Sequence, residues 1–528
     1  MKNTPSSLFN LGYFFRRANS PLCNIDSNRP AVRYLDRSYT YKELNERINK
    51  LANGLLDLGV NKGVKIGILM YNSIEFFDLF YASAKIGAVM VPINFRLVPS
   101  ELEYIINQSE MEILIYSQDF QSTIDEIHGK LTRLNHYIFV GEDVPKDALD
   151  YSSIIYRQSG SEPAVSWAVG QDDLVMIMYT SGTTGLPKGV MFTHSQLLWS
   201  AASQAINYKF CKNDVTLITG PLYHVGALVD LSIGVTNMGG MNVIMPSKNF
   251  DIKTLLDTIQ RHRVTNLLLF PIMVIRMLNL PDIAEYDLSS LRFAIVGGER
   301  IDPHLLKQFH EKWPWVKLYQ AYGLTEGSEF TSILEPEYVI SKAGSIGREF
   351  FNVEIRLVDS NGNDVPIGEV GEIVNRSPAT RGGYWKNEKA TEETFGYGWC
   401  CTGDLGKIDE DGFLWIAGRK KDMIRSAGEN IYASEVEAAI MKHPNVLEVA
   451  VYPVPHPEWT ECVMASIVLK DNCSMNEEEI VNHCKQHIAP YKKPKYIEFI
   501  DSLPRNASNK VLKYILMKKN ATIAEKDR

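Results

Sequence analysis

From Lys65 onward the chain alternates short apolar runs with longer runs whose apolar residues recur at helical spacing. Residues 66–70, 89–93, 113–116 and 266–270 read as strands, and residues 75–88, 101–110 and 255–262 as the helices between them. A strand–helix–strand repeat pairs its strands in parallel and covers both sheet faces with helices. The expected fold class is therefore α/β, with a large N-terminal domain of helix-covered, mostly parallel sheets. Beyond about residue 353 the runs shorten and turns multiply around residues 361–363, Gly371 and Gly382–Gly383, which predicts a β-rich subdomain over 353–420. Residues 434–442 and 477–487 then read as helices, and 446–452, 462–469 and 496–500 as strands. These make a small α+β C-terminal lid domain over 421–528, mobile about the charged, glycine-bearing joint 418–422.

A chain of 528 residues is long enough for two to four such units. Its 45% apolar and 22% charged content is that of a globular protein, and a net charge of -8 argues against a nucleic-acid partner. Seven cysteines without a C-x-x-C pair suit reduced thiols in the cytoplasm better than a disulfide framework or zinc site. No signal peptide and no apolar run long enough for a transmembrane segment are present. Phe9, Leu11, Phe14 and Phe15 beside Arg16 and Arg17 are expected to pack onto the body rather than touch a membrane. A homodimer is compatible with the sequence.

Residues 179–190 are the first candidate site. They gather Thr180, Ser181, Gly182, Thr183, Thr184, Gly185 and Lys188 between an apolar run at 174–179 and a helical pattern at 194–208. Glycines let the backbone approach a phosphate, hydroxyls add donors, and a lysine brings a point charge. The spacing is not that of the usual nucleotide loop, G-x-x-x-x-G-K-[ST]. By composition alone it is also compatible with a plain linker.

Other segments frame a few polar groups in the same way. Residues 320–327 follow a strand-like run, so Tyr322 could stack on a base and Glu326 hold a hydrated Mg²⁺, or the segment could be an ordinary capped turn. Asp404, just after a glycine turn, could accept from ribose hydroxyls or merely close that turn. Residues 418–422 could be a solvated charged hairpin or the joint itself. His224 and residues 296–299 follow apolar runs and could line a pocket at sheet ends, and Lys510 lies near the end of the chain.

Taken together and in order, these segments resemble the signature set of the AMP-forming adenylating superfamily of acyl- and aryl-CoA synthetases, adenylation domains and luciferases. The resemblance runs from about Ser38 to Lys510 and is most like a fatty-acyl-CoA synthetase. It implies that ATP, Mg²⁺ and coenzyme A are used, and that a small-molecule carboxylate is converted to an acyl-adenylate and then a thioester. By motif match, Thr183, Thr184 and Lys188 would hold the β- and γ-phosphates, with Thr180, Ser181, Gly182 and Gly185 completing the loop. Thr325 and Glu326 would face the α-phosphate, with Glu326 and Thr184 at the metal. Tyr322 and Gly298 would flank adenine beside Glu299, Ala321 and Gly323, and Asp404 and Arg419 would bind ribose. Lys510 matches the adenylation lysine, Lys421 the hinge, and Gly428 lies in the pantetheine segment. Asn509 and Ala427 stand where the family commonly has glycine.

The same resemblance places the acid near Tyr223, His224, Val225, Gly226, residues 296–299 and Ala321, with His224 among the catalytic set. Small residues there, and no evident cation for a second carboxylate, favour a medium- or long-chain fatty acid. An aryl acid of the coumarate type is the alternative. A stand-alone adenylation enzyme loading a carrier protein, a luciferase-like oxygenase and a non-catalytic adenylate-binding regulator are further readings, separable by thioester formation with CoA, light or oxygen uptake, and pyrophosphate release.

Overall fold

The computed structural model describes residues 9–18, 20, 22–180, 186–299, 301–327, 330–426, 429–505 and 511–523. The chain forms two compact units. The first comprises Met1–Ser181, Pro187–Ile355 and Asn375–Cys400, and the second Gly182–Leu186, Arg356–Val374 and Cys401–Arg528.

Two sheets build the first unit. In the seven-stranded sheet the order runs Ala148–Asp150, His136–Val140, Ile113–Ser117, Lys65–Leu69, Val89–Pro92, Leu174–Thr180, Lys188–Thr193, parallel except for the last pair. The nine-stranded sheet has a parallel centre, Lys317–Tyr322, Phe293–Val296, Asn266–Leu269, Val215–Ile218, Met241–Ile244 and Pro30–Tyr34, with antiparallel strands at its edges. Strands such as Asn266–Leu269 and Phe293–Val296 are buried along their whole length, as continuous apolar runs in parallel sheets must be. The helix Ile74–Ile86 is buried all round, so it serves as core rather than cover.

The N-terminal aromatics pack as expected. Leu11, Phe14 and Phe15 are almost wholly buried, and Phe15 meets the Tyr81 ring at a centroid distance of 4.6 Å. Each such phenylalanine contributes about 2 kcal/mol of burial. Phe9 remains half exposed. All seven cysteines are free thiols, and no helix among the described residues is long and apolar enough to cross a membrane.

The second unit is α+β. Thr460–Leu469 lies between Val446–His456 and Met423–Ser426, both antiparallel to it, and also pairs in parallel with Tyr496–Phe499. The helices Ala433–Ile440 and Glu477–His487 close its core through Val436, Ile440, Ile480 and Cys484. Residues 356–374 and 401–420, which the sequence groups with the first domain, fall in this unit. The strand Leu414–Arg419 leads directly through the turn Lys420–Asp422 into Met423–Ser426, and Ser434 Oγ donates to the carbonyl of Ala417.

Candidate active site

The glycine- and threonine-rich stretch is followed by a different element from the one the sequence pattern predicts. The residues after it, Lys188–Thr193, form a strand rather than leading straight into a helix, because buried Val190 and Phe192 alternate with Met191 on a pleated surface. Thr180 and Lys188 are direct cross-strand partners, so both ends of the loop stand on one rung. Ser181, Gly182, Thr183, Thr184 and Gly185 fall outside the described residues, as do Gly428 and Lys510.

Glu326 sits in the turn after the strand Lys317–Tyr322 of the other sheet. Thr180 Oγ1 donates to its Oε1 at 3.2 Å, and the Tyr384 hydroxyl donates to the same oxygen at 3.0 Å. Lys188 Nζ stands 5.0 Å from the centroid of the Tyr384 ring. One tyrosine therefore ties together the loop's threonine, its lysine and the acidic residue of the second motif. Burial first, and the Glu326 charge second, raise the Tyr384 pKa, so the phenol keeps its proton and remains a donor.

Tyr384 is carried there by backbone pairing. Met191 N donates to Gly383 O at 3.1 Å and Trp385 N to Gly189 O at 2.7 Å, which lays residues 383–385 along the Lys188–Thr193 strand. Gly383 has φ +147, and a Cβ there would lie 2.7 Å from the Thr391 methyl, so only glycine suits the position. The sequence reading takes Gly382–Gly383 as a turn and misses Tyr384; the pair of aromatics directly after the glycines was the available signal.

The remaining matches of the first unit cluster at strand ends. Tyr322 is half-buried at the end of its strand, Ala321 is buried, Thr325 is half-buried, and Gly298, Glu299 and Gly323 are exposed. Gly298 adopts φ +85, and a Cβ there would meet the Phe270 ring at 2.9 Å. A Cβ on Gly220 would touch Phe270 and Ala227, so the 220–227 segment and the Gly298 turn share one aromatic wall. Asn72 stitches that segment down: its Nδ2 donates to Gly220 O at 2.9 Å, and its Oδ1 accepts from Leu222 N at 2.8 Å. His224 caps the short helix Val225–Leu228, its Nδ1 accepting from Gly226 N at 3.1 Å. Desolvation by the surrounding protein lowers the His224 pKa, although the residue keeps solvent-accessible surface. Two surface hollows, of about 470 and 600 Å³, are lined by Asn352 to Glu354 with Arg376, and by Ser100 with Tyr104; neither is formed by these residues.

In the second unit Asp404 and Arg419 are cross-strand partners, joined Oδ1 to Nε at 2.7 Å. Thr402 organises both, its Oγ1 accepting from Asp404 N at 3.0 Å and its carbonyl from Arg419 Nη1 at 3.4 Å. Asp404 is 5% exposed and Arg419 is exposed, so the pair offers a held carboxylate beside an accessible guanidinium. Lys421 is exposed on the turn Lys420–Asp422.

Within the first unit, Glu326 with Thr180 and Lys188 suits a magnesium-bound phosphate. Mg²⁺ keeps most of its waters and takes one or two carboxylates plus phosphate oxygens. Glu326 supplies one carboxylate at the mouth of the loop, and no cluster of three or more His, Cys, Asp or Glu suited to a metal occurs among the described residues.

The family profile described as AMP-binding enzyme matches residues 23–385, and that described as AMP-binding enzyme C-terminal domain matches residues 435–510. A long-chain-fatty-acid–CoA ligase of Mycobacterium tuberculosis, FadD13, is 36% identical over 488 residues, which is 91% of this chain and 93% of that protein. A feruloyl-CoA synthase of an Amycolatopsis species is 35% identical, over 92% of this chain and 94% of that protein. The solved structure of o-succinylbenzoate coenzyme A synthetase from Bacillus subtilis, in complex with ATP and magnesium ion, superposes with a TM-score of 0.83 at 30% identity, covering 96% of this chain and 99% of that one. With matches over nearly its whole length, and a glutamate and lysine gathered at its glycine-rich loop, the chain belongs to the AMP-binding enzyme family and is an AMP-forming acid–thiol ligase using ATP, Mg²⁺ and coenzyme A.

Proposed function

We propose that the acid activated is a medium- or long-chain fatty acid and that the residues named above divide the two half-reactions. The observation that carries the substrate reading is a largely apolar wall, with Phe270 against Gly220 and Gly298, Ala227 against Gly220 and Leu268 against Gly226. A carboxylate oxygen of the acid attacks the α-phosphorus of ATP and pyrophosphate leaves; the CoA thiolate then attacks the acyl carbon and AMP leaves. Phosphoryl transfer of this kind is positioning and charge neutralisation. Lys188 and the loop hydroxyls, Thr183 and Thr184 among them, hold the leaving β- and γ-phosphates. Glu326, oriented by Thr180 and Tyr384, and Thr184 hold Mg²⁺, which when bound neutralises phosphate charge. Thr325 faces the α-phosphate, Tyr322 and Gly298 flank adenine, and Asp404 with Arg419 binds ribose. Lys510 stabilises the charge that builds on the α-phosphate, and His224 closes the acid's end of the site. Lys421 is the pivot between the domain of residues 1–420 and that of 421–528, and Gly428 belongs to the pantetheine step.

An aryl acid is the second reading, favoured by the Phe270 wall and by the feruloyl-CoA synthase relative. Pyrophosphate release across fatty acids of graded length and across benzoates and cinnamates separates them. The proposal expects the highest kcat/KM on a fatty acid of eight or more carbons, about tenfold above any aryl acid by the usual discrimination of an apolar pocket. An aryl acid preferred by that factor contradicts it.

A further inference from the structure

Asp230 follows the Val225–Leu228 helix and is 8% exposed, and its Oδ1 has no hydrogen-bond partner among the described residues. The turn that presents it is uncommon: the next residue, Leu231, is a buried leucine at φ +63. A methyl group built on Gly226 would lie 3.7 Å from Asp230 Oδ2, 3.4 Å from His224 Nδ1 and 3.5 Å from Leu268 Cδ2. The carboxyl therefore borders the same small gap as His224, with an apolar side chain opposite.

Other buried polar atoms gather near it. The hydroxyl of Tyr208 and Oε1 of Gln204 have no partner among the described residues. Tyr208 is close enough that the Asp230 charge adds to the burial that raises its phenol pKa, and Gln204 Nε2 donates to the carbonyl of Val229 at 3.4 Å. Buried polar atoms are nearly always satisfied by protein, water or a bound molecule. The Asp230 carboxyl, with Oδ1 unpaired among the described residues, marks a place beside Gly226 where something polar is received.

We propose that Asp230 is a specificity-determining residue of the acid pocket, binding a hydroxyl group carried on the hydrocarbon body of the acid, so that the preferred substrates are hydroxylated acids. The proposal rests on the reading that places the acid at His224, Gly226 and Leu268. A hydroxyl is the group that pairs with a carboxyl in either protonation state, donating to the ionised form and both donating to and accepting from the protonated one. An ammonium group is disfavoured because the buried guanidinium of Arg381 already acts on Asp230 as the nearby cation. Burial pushes the Asp230 carboxyl up to about 8, against the pull of Arg381, so the protonated form is well populated at neutral pH. The hydroxyl can come from an aliphatic chain or from a ring.

Matched pairs distinguish these sources and test the proposal: 12-hydroxydodecanoate against dodecanoate, and 4-coumarate against cinnamate, each by kcat/KM for pyrophosphate release. The wild type is expected to prefer the hydroxylated member of at least one pair by tenfold or more, since a site built to bond a hydroxyl rejects the analogue lacking it. Asp230→Leu removes that preference, with the loss falling on the hydroxylated member; Asp230→Asn keeps part of it. Gly226→Ala, which sets a methyl against the carboxyl without touching the Asp230 side chain, reduces the preference even if the Asp230 variants fail to fold. Deoxy members preferred in both pairs, or equal losses on both members in Asp230→Leu and Gly226→Ala, overturn the proposal while leaving the acid-pocket reading intact. No release with any of the four acids overturns both.

Discussion

The Tyr384 hydroxyl lies 3.0 Å from Glu326 Oε1, the oxygen that Thr180 Oγ1 also reaches at 3.2 Å. Two neutral donors on one carboxylate oxygen fix the carboxylate's direction without neutralising its charge. Tyr384→Phe removes one donor to a charged acceptor, worth about 1.5–3 kcal/mol, and is expected to slow acid-dependent pyrophosphate exchange about 10- to 100-fold with little change in melting temperature. An unchanged exchange rate would show that Glu326 needs no such support.

Asp404 and Arg419 hold each other across two strands at 2.7 Å, with Arg419 keeping an exposed face. If they bind ribose, Asp404→Asn weakens ATP more than the acid. The expected effect is a rise of about tenfold in KM for ATP, the loss of one charge-assisted hydrogen bond, with KM for the acid unchanged. Initial-rate measurements with each substrate varied in turn check it, and equal changes in both constants argue against a ribose role.

Lys510 and Lys421 are assigned to different half-reactions. Lys510→Ala is expected to reduce pyrophosphate exchange by at least about a hundredfold, the scale of a lost transition-state charge contact, while thioester formation from a supplied acyl-adenylate falls far less. Lys421→Ala has the opposite profile. Rapid-quench measurement of each half-reaction decides, and equal losses in both for either variant remove that residue from its role.

His194 is fully buried, and its Nδ1 accepts from Leu11 N at 3.2 Å, anchoring the N-terminal segment. Burial lowers its pKa from 6.5 to about 4, with Asp173 pulling the other way and Arg16 and Lys62 reinforcing the drop. The unfolded chain thus binds the proton first, so this contribution is complete above about pH 6.5 and is lost as pH falls through about 4. A shift of that size corresponds to about 3 kcal/mol. His194→Gln retains an acceptor but does not titrate, and its melting temperature is expected to fall less steeply than the wild type's between pH 6.5 and 4. Parallel curves contradict this.

Most of the fold was legible because parallel strands and their helices advertise themselves: the strands at 66–70, 113–116 and 266–270 and the helix at 477–487 lie where periodicity puts them. The Lys188–Thr193 strand was not, because a six-residue run of mixed polarity after a glycine- and threonine-rich stretch reads equally well as the approach to the next helix. Tyr384 and Asp230 were hidden for a different reason. Neither belongs to a local motif; each matters through a partner that only the folded chain supplies, Glu326 for Tyr384 and the gap at Gly226 for Asp230.

If activation and thioester formation are separate steps through an acyl-adenylate, labelled pyrophosphate exchanges into ATP before any thioester is made. With a carboxylic acid present and coenzyme A omitted, rapid exchange is expected that stops when the acid is left out, followed on adding coenzyme A by one AMP and one acyl-CoA per acid consumed. Exchange that requires coenzyme A, or thioester formed with release of ADP and phosphate, would contradict it.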